Sequence, residues 1–139
     1  MRVIGLDLGE RRVGVAVTDS AGTLAVPHST LERTGDADRD RQAVLSLVDD
    51  TGAERVVIGL PLRLDGGRGP AARAAEAEAA ALRELLRGRA VEVETFDERL
   101  TTVSAERELE AAGRRGRHRR AVVDRSAAAV MLQAWLDAR

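Results

Sequence analysis

Three short stretches of this 139-residue chain carry acids where acids are costly or exposed to a neighbouring helix start: Gly5-Leu6-Asp7-Leu8-Gly9, Asp97-Glu98-Arg99-Leu100-Thr101-Thr102, and Val123-Asp124-Arg125-Ser126-Ala127-Ala128. Brought together by a fold, Asp7, Glu98 and Asp124 would make an acidic site built only of oxygen donors. Carboxylate oxygens suit magnesium and manganese better than zinc or copper. Divalent cations held that way against a phosphodiester perform hydrolytic, nuclease-type chemistry.

Each acid also has an ordinary explanation. Asp7 lies in the apolar run Ile4-Gly5-Leu6-Asp7-Leu8, where an ionised carboxylate is expensive unless it is paired or bound to metal. Its ordinary role would be to cap or buttress the turn that follows. The neighbouring Gly5, Gly9 and Gly14 favour the functional reading, since a missing side chain lets a phosphate or another backbone approach closely. Asp97 and Glu98 follow a predicted strand directly and point to opposite faces if the strand persists, so only one of them can face Asp7. Glu98 is taken as the metal ligand, with Asp97 as its substitute. Arg99 either holds a carboxylate in place or contacts a phosphate, and the whole segment also reads as a helix cap with a salt bridge. Asp124, early in a predicted terminal helix, is by itself ordinary dipole complementarity; its weight comes from the other two acids.

Formal net charge is −1, so the chain is not a globally basic nucleic-acid binder, yet its charge is unevenly placed. All 22 cationic residues are arginines, and five of them (Arg114, Arg115, Arg117, Arg119 and Arg120) crowd the glycine-interrupted segment just before Asp124. Such a run is usually solvated surface. Beside a metal site it would attract a polyanion and position its backbone without reading sequence. His118, within it, reads as a surface residue. The absence of cysteine excludes disulfides, thiolate metal sites and cysteine catalysis, and with only His28 and His118 zinc is disfavoured. One Phe and one Trp leave little for base stacking. With no apolar run of bilayer length and no signal-peptide pattern, no membrane partner and a cytoplasmic location are expected.

The elements that must position these acids follow from periodicity. Residues 2–8 predict a buried strand, 12–18 a second with Val13, Val15 and Val17 alternating, and 23–31 a third. Helical spacing of Ala43, Val44, Leu47 and Val48 predicts a helix over 41–51 that Gly52 stops. Val56-Val57-Ile58-Gly59-Leu60 reads as a strand covered on both faces, expected at the sheet centre. A loop over 62–69, an Ala-rich helix from Pro70 to about residue 87, a strand over 91–96 and helices over 102–112 and 122–138 complete the order βββαβαβαα. That order predicts an α/β, ribonuclease H-like domain over residues 1–139, with a mixed five-stranded sheet (three antiparallel strands, then two parallel) flanked by helices. Asp7 and Glu98 fall near carboxyl ends of strands, where open sheets bind ligands.

Over nearly its whole length the chain resembles the YqgF/RuvX family, relatives of RuvC in the ribonuclease H-like superfamily. The resemblance rests on the acidic motifs, on Arg12-Val13-Gly14-Val15-Ala16-Val17-Thr18-Asp19, on Val57-Ile58-Gly59-Leu60-Pro61-Leu62 with Asp65-Gly66, and on Leu132-Gln133. It implies an endonuclease using two Mg2+ or Mn2+ ions, with Asp7 bridging them and Glu98 and Asp124 completing their shells. Two substrates are implied: the Holliday junction, toward which the reading leans through RuvC, and the 5′ end of pre-16S ribosomal RNA. Resolution of branched DNA would call for a two-fold homodimer; processing of a precursor rRNA would not. The Asp-Leu-Gly hairpin also opens actin-like and sugar-kinase ATPases, which need a second domain that 139 residues do not supply. An inactive nucleic-acid-binding module is the remaining alternative.

Overall fold

An apolar run builds β1 (Val3–Leu8) and alternating valines build β2 (Arg12–Thr18); with β3 (Ala25–Glu32) they pair antiparallel in sequence order. In this computed structural model residues 1–101 and 126–139 are described. β3 starts two residues later than periodicity predicts, because Asp19 organises the preceding turn by accepting from the amides of Thr23 and Leu24 at 2.9 and 3.2 Å. Those hydrogen bonds hold the Asp19 carboxyl below its ordinary range. Pro27 sits within β3, at the sheet edge where a missing amide is tolerated, beside a register shift at Val15 and Ala16.

Helix α1 (Ala37–Thr51) begins four residues before the expected start at 41. Its first turn is polar: Asp36 caps it by accepting from the amides of Asp38 and Arg39, and Asp38 and Asp40 complement the helix dipole. Gly52 closes it in the left-handed conformation at φ 69°, its amide donating to Val48. After β4 (Arg55–Leu60), helix α2 (Pro70–Leu85) opens on Pro70 and ends in a single 3-10 turn over Arg87–Arg89. β5 (Glu92–Asp97) follows, and residues 99–101 already turn as helix, earlier than the expected start at 102.

The sheet order is β3-β2-β1-β4-β5, with β1 parallel to β4 and β4 parallel to β5. This is the expected α/β, ribonuclease H-like mixed sheet. One expectation is corrected: β1, not β4, is the central strand, although β4 is buried on both faces as its apolar run requires. A strand covered by helices on both sides has the same composition whether it is third or fourth in order.

Alternating residues feed two cores. Ile4, Leu6, Val56, Ile58 and Val93 face α1 and α2, where Ala72, Ala75, Ala79 and Leu82 of α2 pack closely. Val3, Ala16 and Val57 face the terminal helix α3 (Ala127–Asp137), meeting Ala128, Met131, Leu132 and Trp135. Leu132 is fully buried, and truncating such a side chain to alanine costs about 2–5 kcal/mol. Gln133 ties α3 to the sheet: its Oε1 accepts from the Ala25 amide at 2.9 Å and its Nε2 donates to Asp137 at 3.0 Å. The helix starts later than the expected residue 122. Ser126 is its cap, accepting from the Ala129 amide at 3.1 Å, so the helix begins at Ala127. No helix among the described residues is long and apolar enough to cross a membrane.

Candidate active site

Asp7 stands one residue from the end of β1, on the sheet face covered by α3. Its partner across β2 is Gly14, and on the other side it lies one step past the paired Leu6 and Ile58, beside Gly59 of β4. Both lateral neighbours of the carboxylate are therefore glycines. α3 arrives over the same spot: a Cβ at Gly14 would stand 3.5 Å from the Cβ of Ala128 and 3.7 Å from that of Asp7. The small residues that open α3 let the helix come down beside the acid.

Glu98 reaches Asp7 from two strands away. Its backbone continues the β4–β5 ladder, the amide donating to Leu60 at 3.0 Å, and its side chain folds back over Gly59. The two carboxyls then lie close enough to interact. Burial first, then the negative charge of Asp7 and a hydrogen bond with it, push the Glu98 carboxyl above its ordinary value. Two acids driven together in a half-buried setting, with only oxygen donors, are what a hard divalent cation fits.

Asp97 takes the opposite face. It receives the Arg99 guanidinium at 3.0 Å from Nε and 2.6 Å from Nη2, and caps the helical turn by accepting the Arg99 amide at 3.0 Å. Arg99 holds the Asp97 carboxyl below its ordinary value. Of the two roles open to Arg99, the structure displays the first: besides gripping Asp97 it donates to the Leu64 carbonyl at 3.3 Å, pinning the β4–α2 loop. Cap and salt bridge together are the ordinary reading that the Asp97-Glu98-Arg99 segment carries in its sequence.

The space at the other glycines is used by the protein itself. A Cβ at Gly5 would stand 3.0 Å from the Leu132 Cβ, and Gly9 turns the β1–β2 hairpin with its amide donating to Arg12 at 2.8 Å. Asp124 and the arginines 114, 115, 117, 119 and 120 lie outside the described residues. Among the described residues no three metal-ligating side chains gather, so Asp7 and Glu98 stand as a pair. A cleft of about 580 Å³ lies on the other side of the sheet, against α1, lined by Leu6, Leu8, Val13, Leu31 and Val44 rather than by either acid.

The family model described as "RuvX: Holliday junction resolvase" matches residues 1–138. A protein of Anaeromyxobacter dehalogenans (strain 2CP-C), named "Putative pre-16S rRNA nuclease", is 45% identical over 139 residues, spanning 100% of this chain and 98% of its own. One of Mycobacterium sp. (strain KMS) with the same name is 46% identical over 138 residues, covering 99% of this chain and 80% of its own. Among solved structures, Thermus thermophilus RuvC in complex with a Holliday junction substrate superposes with a TM-score of 0.60 at 17% identity, over 100% of this chain and 95% of that one. That likeness speaks for the fold, and the match of the family model over nearly every residue speaks for descent: the chain belongs to the RuvX family.

Proposed function

We propose that this chain is a divalent-metal-dependent endonuclease that processes the 5′ end of pre-16S ribosomal RNA. The observation that carries the chemistry is the convergence of Asp7 and Glu98 at the carboxyl edge of the sheet, two acids whose mutual repulsion a bound cation would relieve. The substrate order follows the names of the full-length relatives, which are about 45% identical over the whole chain. It reverses the lean toward junctions that the sequence suggested.

Asp7 and Glu98, joined by Asp124, would hold Mg2+ or Mn2+. When bound, such a pair of ions supplies Lewis-acid stabilisation of the phosphoryl oxygens and a nucleophilic water at neutral pH. This chain's own residues orient the site. β1 fixes Asp7 between two glycines, the β5 end delivers Glu98, and Asp97 with Arg99 sets the helical turn that carries Glu98 into place. The arginines at 99, 114, 115, 117, 119 and 120 are assigned to the nucleic-acid backbone, with Arg99 acting mainly as a brace. Their attraction is independent of sequence.

Resolution of Holliday junctions is kept as the second reading, because the family model bears that description and RuvC shares the fold. It would require a homodimer with two sites. The deciding experiment offers purified protein, with magnesium and then manganese, a precursor RNA spanning the 5′ end, a four-way junction and a matched duplex. Chelator-sensitive cleavage of the RNA alone is expected. Paired symmetric nicks in the junction by a dimer would reverse the order, and cleavage of nothing would overturn the nuclease reading.

A further inference from the structure

β4 is buried from Val56 through Leu60, and in the middle of that apolar run stands Gly59. A glycine inside a strand weakens it and forgoes packing, so its presence marks a bulge, a bend or a close approach. No bulge or bend calls for it: Gly59 is regularly paired with Phe96 in β5, and it is not among the glycines of positive φ. The approach comes from Glu98. A Cβ built at Gly59 would stand 3.1 Å from the Glu98 Cδ and 3.2 Å from its Cγ, and would overlap Oε1; its three nearest atoms all belong to that one side chain.

The other glycines of this face are used differently. Gly5 is covered by Leu132 of α3, and a Cβ at Gly14 would make only ordinary contacts with Ala128 and Asp7. Of the two glycines flanking Asp7, one leaves room beside it and the other is the seat of its partner acid.

We infer that Gly59 is a positioning residue for the metal-holding pair: its bare Cα is the surface on which the Glu98 carboxylate lies, and the missing side chain sets how near Glu98 comes to Asp7. This inference rests on reading Asp7 and Glu98 as metal ligands. A methyl group at position 59 would lift the carboxylate off the sheet, and small hard cations tolerate little error in ligand placement.

The test is a calorimetric Mn2+ titration of the full chain without nucleic acid, for wild type, Gly59→Ala, Glu98→Gln and the double variant. Gly59→Ala is expected to weaken Mn2+ binding by about tenfold or more, the size of effect typical of groups that orient ligands. In the Glu98→Gln chain the same alanine should add less than about threefold, because both changes remove one ligand. Wild-type affinity in Gly59→Ala, or a full tenfold further loss in the double variant, would overturn the inference. Metal-free melting gives a second reading: the overlapping atoms are the far end of a flexible side chain, so the Gly59→Ala chain should still fold, with a melting temperature close to wild type. Failure of Gly59→Ala to fold, unrelieved by adding Glu98→Ala, would overturn the inference. If wild type binds no Mn2+, the metal reading falls and takes this one with it; if wild type binds and Gly59→Ala binds equally, only this one falls.

Discussion

β5 carries acids at both ends, and the molecule treats them in opposite ways. At its start Glu92 and Glu94 share one cation: Arg55 meets them at 2.6 and 3.0 Å, lies 5.8 Å from the centre of the Trp135 ring, and Trp135 donates its indole N–H to Glu94. At its end Glu98 is turned onto Asp7, and among the described residues no arginine stands with either. The first cluster pairs its two acids with one arginine and binds a helix to the sheet. The second brings two acids together without a cation, the arrangement that the proposed metal site calls for. Paired acids here mark structure, and acids pressed together mark the place where chemistry is expected.

The sharpest break of that contrast is Asp7→Asn. Cleavage is expected to fall by at least about 1000-fold, equivalent to about 4 kcal/mol of barrier, while the metal-free protein melts no lower than wild type because a repulsive charge has gone. Activity assays and melting of the same preparation check both halves. Wild-type cleavage would remove the functional end of the comparison altogether.

Next in size is the pair of neighbours that parity separates. Glu98→Gln is expected to cost about 100-fold or more in cleavage, or about 3 kcal/mol of barrier. Asp97→Asn should cost less than about tenfold in cleavage, and lose about 1–2 kcal/mol of stability as its hydrogen bonds to the Arg99 guanidinium weaken. If Asp97→Asn is the dead variant, the two faces of the β5 end have exchanged roles.

At the opposite end, Arg55→Met should leave Glu92 and Glu94 uncompensated beside Trp135. Urea unfolding is expected to show a loss of about 2–4 kcal/mol, partly recovered by adding Glu94→Gln. Mn2+ binding should be unchanged, and a change in it would show that the two ends are not independent.

The smallest effect is in pH. Glu98 titrates above its ordinary 4.5 in the folded chain, so the folded state binds that proton more tightly than the unfolded one. Metal-free stability should therefore rise as pH falls from neutral toward 4.5, and Glu98→Gln should flatten the rise. Asp97 works the other way: its lowered value contributes stability that is present above 3.8 and lost as pH falls further. Mn2+ affinity should weaken over the interval in which Glu98 gains its proton, since proton and cation compete for one carboxylate. A pH-independent Mn2+ affinity would separate Glu98 from the metal.

How much of this was legible in the chain can be judged residue by residue. The alternation in Val13, Val15 and Val17, the apolar run from Val56 to Leu60 and the Pro70 helix start are local signals, and each produced its element. Side-chain parity along a strand is local too, which is why the opposite facing of Asp97 and Glu98 was readable before any fold. The first turn of α1 carries its signal in a capping side chain, Asp36, rather than in apolar spacing, so periodicity places the helix start too late. For the same reason a capping side chain, Ser126, and not apolar spacing marks the start of α3.

Tertiary structure decided what no local pattern encodes: that β1 lies at the centre, that Asp7 has a glycine on each side, and that a carboxylate from the end of β5 comes to rest on one of them. These depend on which strands lie side by side. Residues 7, 14, 59 and 98 become neighbours only through sheet order and register, whereas composition and periodicity act over a few residues of chain. The amino-acid sequence by itself thus determined which residues are acids and that neighbouring acids along a strand face opposite ways; the packing of distant strands determined which acid meets which.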